Sequence, residues 1–444
     1  MIVALIGRPN VGKSTLFNRM ITGGRRGHKV TAVTGETPGV TRDRNYASAD
    51  WEGRTFSVVD TGGFYSEDAA AQKGEIAAQM REQALCAVDE ADVILHVMDG
   101  KDGLTPADSD LASFLRRSGK KVLSVVTKID GPKQTDRMID FYRLGVDDII
   151  GVSGLTGFGL DDLMDELIKL PAAFDRSRVD ESSDMPRVAV VGRPNVGKST
   201  LINVLLSKKR LIVSSTPGTT RDAIDSVCTF YGRNYLFIDT AGIRRKVVSR
   251  SVEGFSVLRA IRSIERADVA LIVLDATEGV VDQDQRIAGI VDTAGKGAIF
   301  LWNKWDLISD PEPAYKRLSK ELRKKIWFMG HAPFLTTSGI AKKRVTVVFG
   351  LIDQVVAERR KRIADDELHD FLSDINARRL FPQVRGKDLR FIAMTQTGTE
   401  PPVFTIHVTH PGALRDSHRR QFEREFRGRF SFRGTPVRLH FKSR

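Results

Sequence analysis

The nine residues GRPNVGKST stand at Gly7–Thr15 and again, unchanged, at Gly192–Thr200. Both copies fit GxxxxGK[ST], a loop whose glycines let backbone amides wrap a chain of phosphates. Lys13 and Lys198 supply a point charge to the outer phosphates, and Ser14 and Ser199 offer a hydroxyl to magnesium. The candidate phosphate-binding residues are therefore Gly7, Asn10, Gly12, Lys13, Ser14 and Thr15, with Gly192, Asn195, Gly197, Lys198, Ser199 and Thr200. A following helix points its positive end at the same anion. Alone, the pattern specifies phosphate and little more.

The repeat extends well beyond this loop. Asp60 matches Asp239, Asp99 matches Asp275, Asp130 matches Asp306 and Ser153 matches Ser338, always in the same order. Strand-like runs at Ile2–Ile6, Phe56–Asp60, Val93–Asp99 and Val122–Thr127 alternate with helical stretches at Lys13–Ile21, Glu75–Ala91 and Pro106–Arg117. Such alternation predicts a doubly wound, mostly parallel α/β sheet, with ligands at the carboxyl ends of the strands. The spacing gives a first domain at 1–170, a polar linker at 171–186 bounded by prolines, a second domain at 187–355 and a basic domain at 356–444.

The 444 residues carry a net charge of +13, which favours a polyanionic partner, nucleic acid before membrane. No apolar run approaches the roughly 20 residues of a membrane span. Met1 leads straight into a strand, so no targeting segment is expected and the expected location is the cytoplasm. The two cysteines, Cys86 and Cys228, suit buried apolar sites better than a disulfide or a metal site.

Specificity comes from the motifs downstream. DTGG at Asp60–Gly63 and DTAG at Asp239–Gly242 supply an aspartate for the magnesium shell. They also supply glycine amides, Gly63 and Gly242, for the terminal phosphate. Thr41 and Thr220, in PGVTRD and PGTTRD, are placed to join magnesium when that phosphate is present. The magnesium candidates are thus Ser14, Thr41, Asp60, Ser199, Thr220 and Asp239. NKWD at Asn303–Asp306 follows a strand, and TKID at Thr127–Asp130 is its counterpart. An aspartate there accepts both guanine N1–H and N2–H, a pairing adenine cannot offer. Ser153 and Ser338 stand where a loop would cover the base. The guanine candidates are Thr127, Lys128, Asp130 and Ser153 in one copy, and Asn303, Lys304, Asp306 and Ser338 in the other.

These motifs resemble the Era-like translational GTPases, and within them the Der (EngA) family of tandem GTPases with a C-terminal KH-like domain. The likeness spans nearly the whole chain, including Ala393–Phe404 and GTPVRLHF at Gly434–Phe441. It implies two P-loop GTPase domains followed by a small α+β KH-like domain. It also implies a monomeric ribosome biogenesis factor that binds GTP and GDP and hydrolyses GTP. Its partner would be the large ribosomal subunit and its rRNA, not DNA or membrane, with the switches setting how the third domain is presented.

Phe64 and Ile243 occupy the position after DxxG where a glutamine would orient the attacking water, so no general base is assigned. The resemblance implies instead a potassium ion held by Asn10 and Asn195. The two copies also differ. Thr127 replaces asparagine, keeps a hydroxyl but is expected to lose reach toward the P-loop, giving weaker guanine binding or faster release in the first copy. Six extra residues, within Gly23–Val30, enlarge its first switch loop. Arg244, Arg245, Lys246 and Arg250 form either a solvated loop or an arm toward RNA or the third domain.

From Ala357 onward 19 Lys/Arg face 11 Asp/Glu, with no GxxG loop of the kind that clamps RNA in KH domains. The candidate RNA-facing charge lies at Arg359–Arg362, Arg378–Arg379, Arg419–Arg420 and Arg427–Arg433, open also to pairing with Asp365, Asp366 and Glu423. Helices are expected at Asp365–Arg378 and Gly412–Phe426, and strands at Leu389–Thr395, Val403–Val408 and Pro436–Phe441.

Overall fold

The structure is a computed structural model. It describes residues 1–22, 46–52, 54–60, 91–146, 148–170, 185–207, 225–240, 253–378, 381, 383–384 and 387–443. The expected helix Glu75–Ala91, the linker to residue 184, Cys86, the Gly23–Val30 loop and the Arg244–Arg250 segment lie outside the described residues. So do Thr41, Gly63, Phe64, Thr220, Gly242 and Ile243. The described chain divides into two compact units: one is built on the first sheet, and the other holds the second sheet and the C-terminal segment.

In the first unit the strands are β1 (Ile2–Ile6), β2 (Tyr46–Trp51), β3 (Arg54–Asp60), β4 (Val93–Asp99), β5 (Lys121–Thr127) and β6 (Ile149–Gly151). They lie in the order β2-β3-β1-β4-β5-β6, with β2 antiparallel to β3 and the other pairs parallel. β1 and β4 are buried along their whole length, as largely apolar runs in a sheet covered on both faces should be, with His96 and Asp99 the polar residues of β4. The helices are α1 (Lys13–Thr22), α2 (Pro106–Arg117) and α3 (Leu160–Ile168). Their apolar stripes, such as Leu16, Phe17 and Met20, pack against Val3, Leu5 and Val58. A 3-10 segment at Pro132–Leu144, with no clear periodicity in the sequence, seats Phe141 and Leu144 beside Val126 and Ile129.

The second sheet repeats that order. Its strands are β7 (Arg187–Val191), β8 (Ser226–Phe230), β9 (Arg233–Phe237), β10 (Val269–Asp275), β11 (Gly297–Asn303) and β12 (Phe334–Thr336). They run β8-β9-β7-β10-β11-β12, again with a single antiparallel pair. Helices α4 (Lys198–Ser207), α5 (Glu253–Arg266), α6 (Asp282–Thr293), α7 (Pro311–Lys325) and α8 (Val347–Arg360) follow its strands. Cys228 is a free, wholly buried thiol, as an apolar reading of it requires.

The C-terminal segment carries α9 (Asp365–Ala377), the two-residue strands β13 (Gln383–Val384) and β14 (Lys387–Asp388), β15 (Phe391–Gly398), β16 (Val403–Val408), α10 (Asp416–Phe430) and β17 (Arg438–Lys442). β15 pairs antiparallel with β16, which pairs parallel with β17. Of its expected elements only β16 keeps both limits; α9 ends one residue early, β15 runs Phe391–Gly398 where Leu389–Thr395 was expected, and α10 and β17 shift toward the C-terminus. α10 begins four residues later than expected, because Pro411–Ala413 form a separate 3-10 turn. Its stripe of Phe422, Phe426 and Phe430, spaced by four, carries the helix on to Phe430. β17 starts after Pro436, which has no N–H to give a ladder. Phe371 from α9 meets all three phenylalanines, with centroids 5.5–5.6 Å apart.

This segment packs on the second GTPase sheet within one compact unit. Ala298 N donates to Gly434 O and Gly434 N to His331 O, both at 2.8 Å. Arg359, 3% exposed, donates to Gly295 O at 2.8 Å. Glu358 accepts the Phe432 amide at 2.9 Å, and Arg438 donates to Asp292 O.

Candidate functional site

Each P-loop bends between the end of its first strand and the start of its helix. Asn10 and Asn195 sit at φ 63° and 64°, and Gly12 and Gly197 at φ 92° and 93°. Asparagine tolerates the left-handed region, whereas the second position favours glycine. At Gly197 a Cβ would lie 2.3 Å from Asn303 Nδ2; at Gly12 the nearest atom, Thr127 Oγ1, would be 3.5 Å away. Alternating positive φ values turn successive amides inward, which is the geometry of an anion nest.

The two lysines fold back over these loops. Lys13 Nζ donates to Gly7 O at 2.9 Å and Arg8 O at 2.6 Å. Lys198 Nζ donates to Gly192 O and Arg193 O, both at 2.7 Å. Burial lowers the pKa of each ammonium; in the first copy Asp60 opposes the shift, while in the second Arg193 adds to it and the value falls to about 8. A polyanion laid in the loop would offset that desolvation, so the sites suit phosphates.

Magnesium requires oxygen donors that converge. In the first copy Ser14 Oγ donates to Asp60 Oδ2 at 2.6 Å, so the hydroxyl and the wholly buried carboxylate stand together and fit such an ion. In the second copy β9 ends two residues earlier and Asp239 takes φ 54°, its amide held by Asp225 at 2.9 Å. The repeated DT motif therefore takes two backbone forms.

The base end is closely matched. Asn303 Nδ2 donates to Val196 O at 2.8 Å, and Asn303 Oδ1 accepts the Gly339 amide at 3.1 Å. Thr127 Oγ1 donates to Val11 O, the equivalent P-loop carbonyl, and lies 2.9 Å from Met98 O. The expectation that Thr127 loses reach toward the P-loop is thus corrected, because the close approach of β5 to the loop lets a hydroxyl span the gap. What is missing among the described residues is the other half, a bond from Gly154 N to Thr127.

Lys128 and Lys304 each hold φ 61° and pair with Asp99 and Asp275, the latter at 2.6 Å. Burial would raise both carboxyls, but the lysines and nearby backbone amides hold them below the usual range. Ser153 Oγ donates to Asp130 Oδ1 at 2.7 Å, and Ser338 Oγ to Asp306 Oδ1. Each hydroxyl also accepts an amide of its own loop, Thr156 or Ala341. The serines thereby aim the aspartates and fix the loop. A cavity of about 770 Å³ opens on Asp306 and Ser338.

The sequence reading missed a brace behind each P-loop. Arg8 Nε donates to both oxygens of the wholly buried Asp108, at 3.1 and 3.2 Å, and Arg193 stands 3.7 Å from Asp284. Asp108 also receives the Thr105 hydroxyl at 2.7 Å; Val281 takes that place in the second copy, where burial raises Asp284 to about 6. The signal was present, since Asp108 and Asp284 repeat at the offset of Asp99 and Asp275. Of the C-terminal cations, Arg359 is buried in packing and Arg427 pairs with Glu423 at 2.8 Å, so neither faces a ligand. No group of three or more acidic, histidine or cysteine side chains is disposed to hold a metal among the described residues. Nor is any described helix long and apolar enough to cross a membrane.

Two P-loop sheets, each with an aspartate held by a serine in the loops beyond its strands, have the architecture of a tandem GTPase. A family model described as "50S ribosome-binding GTPase" matches residues 2–128 and 187–304, and one described as "KH-domain-like of EngA bacterial GTPase enzymes, C-terminal" matches 362–442. GTPase Der of Thermodesulfovibrio yellowstonii is 47% identical over 100% of this chain and 99% of its own length. GTPase Der of Desulforudis audaxviator is 45% identical over 100% and 98%. The chain belongs to the GTPase Der family, and it is a GTP-hydrolysing enzyme. Among solved structures, Era with MgGDPNP and a piece of 16S ribosomal RNA is 23% identical over 58% of this chain and 92% of that one. The two superpose with a TM-score of 0.30.

Proposed function

We propose that this chain is an assembly factor of the large ribosomal subunit, acting as a monomer in the cytoplasm, with its basic C-terminal domain toward rRNA. The observation that carries this is the union of a GTPase site and a cationic surface in one compact unit. Arg362, Arg419, Arg420, Arg424 and Arg433 are exposed on the segment packed against the second sheet, while Arg360 is paired with Glu400 at 2.7 Å. Cations that meet phosphate backbone bind without sequence preference and with strong salt dependence. In this reading four parts, 1–170, 171–186, 187–355 and 356–444, make up the chain, and nucleotide state controls their arrangement.

Within each site, the P-loop amides and Lys13 or Lys198 would bind the phosphates. Ser14 with Asp60, and Ser199 with Asp239, would hold magnesium together with Thr41 or Thr220; that ion would neutralise charge developing on the phosphates. Gly63 and Gly242 would meet the terminal phosphate. Asp130 and Asp306, held by Ser153 and Ser338, would select guanine. Asn10 and Asn195 would ligate a potassium ion in place of the missing glutamine.

Sedimentation of ribosomal particles with the protein under GDP, GTP and a non-hydrolysable analogue tests this function. Co-migration with the large subunit in the triphosphate state is the expected result. Equal association in all three states, or association with the small subunit alone, would overturn it.

A further inference from the structure

Helix α7 borders the cavity at Asp306 through Tyr315 and Lys316, but Lys320 and Arg323 lie outside that lining and belong to a feature of their own. Its sequence, PEPAYKRLSKELRKK, holds six cations and two carboxylates. Lys316, Arg317, Lys320, Arg323, Lys324 and Lys325 are all exposed. Among the described residues only Lys325 of these is in an ion pair, with Glu321 at 2.9 Å. The equivalent stretch of the first copy, PKQTDRMIDFYRL, has three cations and two carboxylates. The excess therefore belongs to one copy and is not a general property of the fold.

Charge alone would describe a solvated face, but this helix also borders a shaped recess. A cavity of about 360 Å³ is lined by Tyr315, Lys316, Ser319, Lys320, Arg323 and Phe334. The Tyr315 and Phe334 rings stand 5.4 Å apart at 43°, and Tyr315 is 45% exposed. An open aromatic wall beside cations one helical turn apart is the arrangement that takes single-stranded nucleic acid, with a base stacked and the phosphates tracked by charge. The far end of α7 leads to Trp327, over which Arg420 of α10 lies at 6.0 Å, so the face continues into the exposed arginines of the C-terminal domain.

We propose that the recess beside α7 is a second RNA site, taking one base of a single strand against Tyr315 and Phe334 with flanking phosphates on Lys316, Lys320 and Arg323. The inference rests on the RNA-facing reading above but assigns contact to the GTPase domain itself. Acidic protein segments also suit a cationic helix, but they have no flat base to fill the recess.

The test is fluorescence anisotropy of the full chain with GDP and a labelled single-stranded oligouridine, titrated at several salt concentrations. Lys320→Glu/Arg323→Glu is expected to lower the slope of log affinity against log salt by about 1.4, because each phosphate of a single strand left without its cation takes about 0.7 from that slope. GTP hydrolysis by this variant should match wild type, since neither residue belongs to the nucleotide site. Tyr315→Ala is expected to weaken RNA binding about tenfold with the slope unchanged, within the range for one base stacked on an aromatic ring. If both variants bind RNA as wild type does while Arg419→Glu/Arg420→Glu weakens it, the α7 site falls and the C-terminal reading stands. If wild type itself fails to bind, both fall.

Discussion

Replacing Asn303 with threonine tests how far the two guanine sites differ. Asn303 bridges two buried backbone groups, donating to Val196 O at 2.8 Å and accepting from Gly339 N at 3.1 Å. The first copy shows what threonine keeps, because Thr127 still reaches Val11 O. Asn303→Thr therefore preserves the tie to the P-loop and removes only the acceptor for Gly339. A buried amide left without a partner costs about 1–3 kcal/mol, or about 5–150-fold in an equilibrium constant. Gly339 follows the serine that aims Asp306, so the loss should fall on base binding and appear as faster release. Stopped-flow dissociation of fluorescent GDP reads it directly, in chains whose first site is silenced by Asp130→Asn. About tenfold faster release is expected, and Thr127→Asn should slow release from the first site when Asp306→Asn silences the second. Release at the wild-type rate from the Asn303→Thr site would refute the reasoning.

Three further outcomes follow from the same geometry. Gly197→Ala sets a Cβ 2.3 Å from Asn303 Nδ2 at φ 93° and should abolish GDP binding at the second site, whereas Gly12→Ala meets only strain at φ 92°, about 1–3 kcal/mol, and should weaken binding without abolishing it; calorimetric titration separates the two. Lys198 has its pKa lowered to about 8, so the folded empty site sheds that proton before the unfolded chain does; stability from this group rises between about pH 8 and 10.5. Bound phosphate requires the charged form, so GDP affinity at the second site should fall by up to about tenfold per pH unit above about 8, and Lys198→Arg should flatten that profile. GTP turnover should be faster in potassium than in sodium, and Asn195→Ala should blunt the difference; equal rates in both salts would remove the potassium reading.

Much of the site was legible in the sequence because its chemistry is local. A P-loop is nine consecutive residues, and its lysine, serine and glycines act within one turn of backbone. Strand limits were legible for the same kind of reason: Val93–Asp99 is an apolar run broken only by His96 and ending in a charge, and β4 spans those residues. Helix α10 was misplaced because Pro411 and Gly412 form a turn of their own. The Arg8–Asp108 pairing was harder to read because its partners are 100 residues apart: the repeat marks each position, Asp108 by Asp284 and Arg8 by Arg193, but only the fold brings the two together.

The sequence by itself determined two guanine-nucleotide sites, their order and their family, since duplicated motifs constrain chemistry wherever the chain runs. Tertiary structure decided what distance alone can decide. It showed that Thr127 keeps its tie to the P-loop, because sheet packing brings β5 within a hydroxyl's reach of Val11 O. It sorted the C-terminal cations as well: Arg359 spends its charge on a buried carbonyl, while Arg419 and Arg420 stay in solvent. Which charges remain for a partner depends on which faces folding buries, and composition holds no record of that.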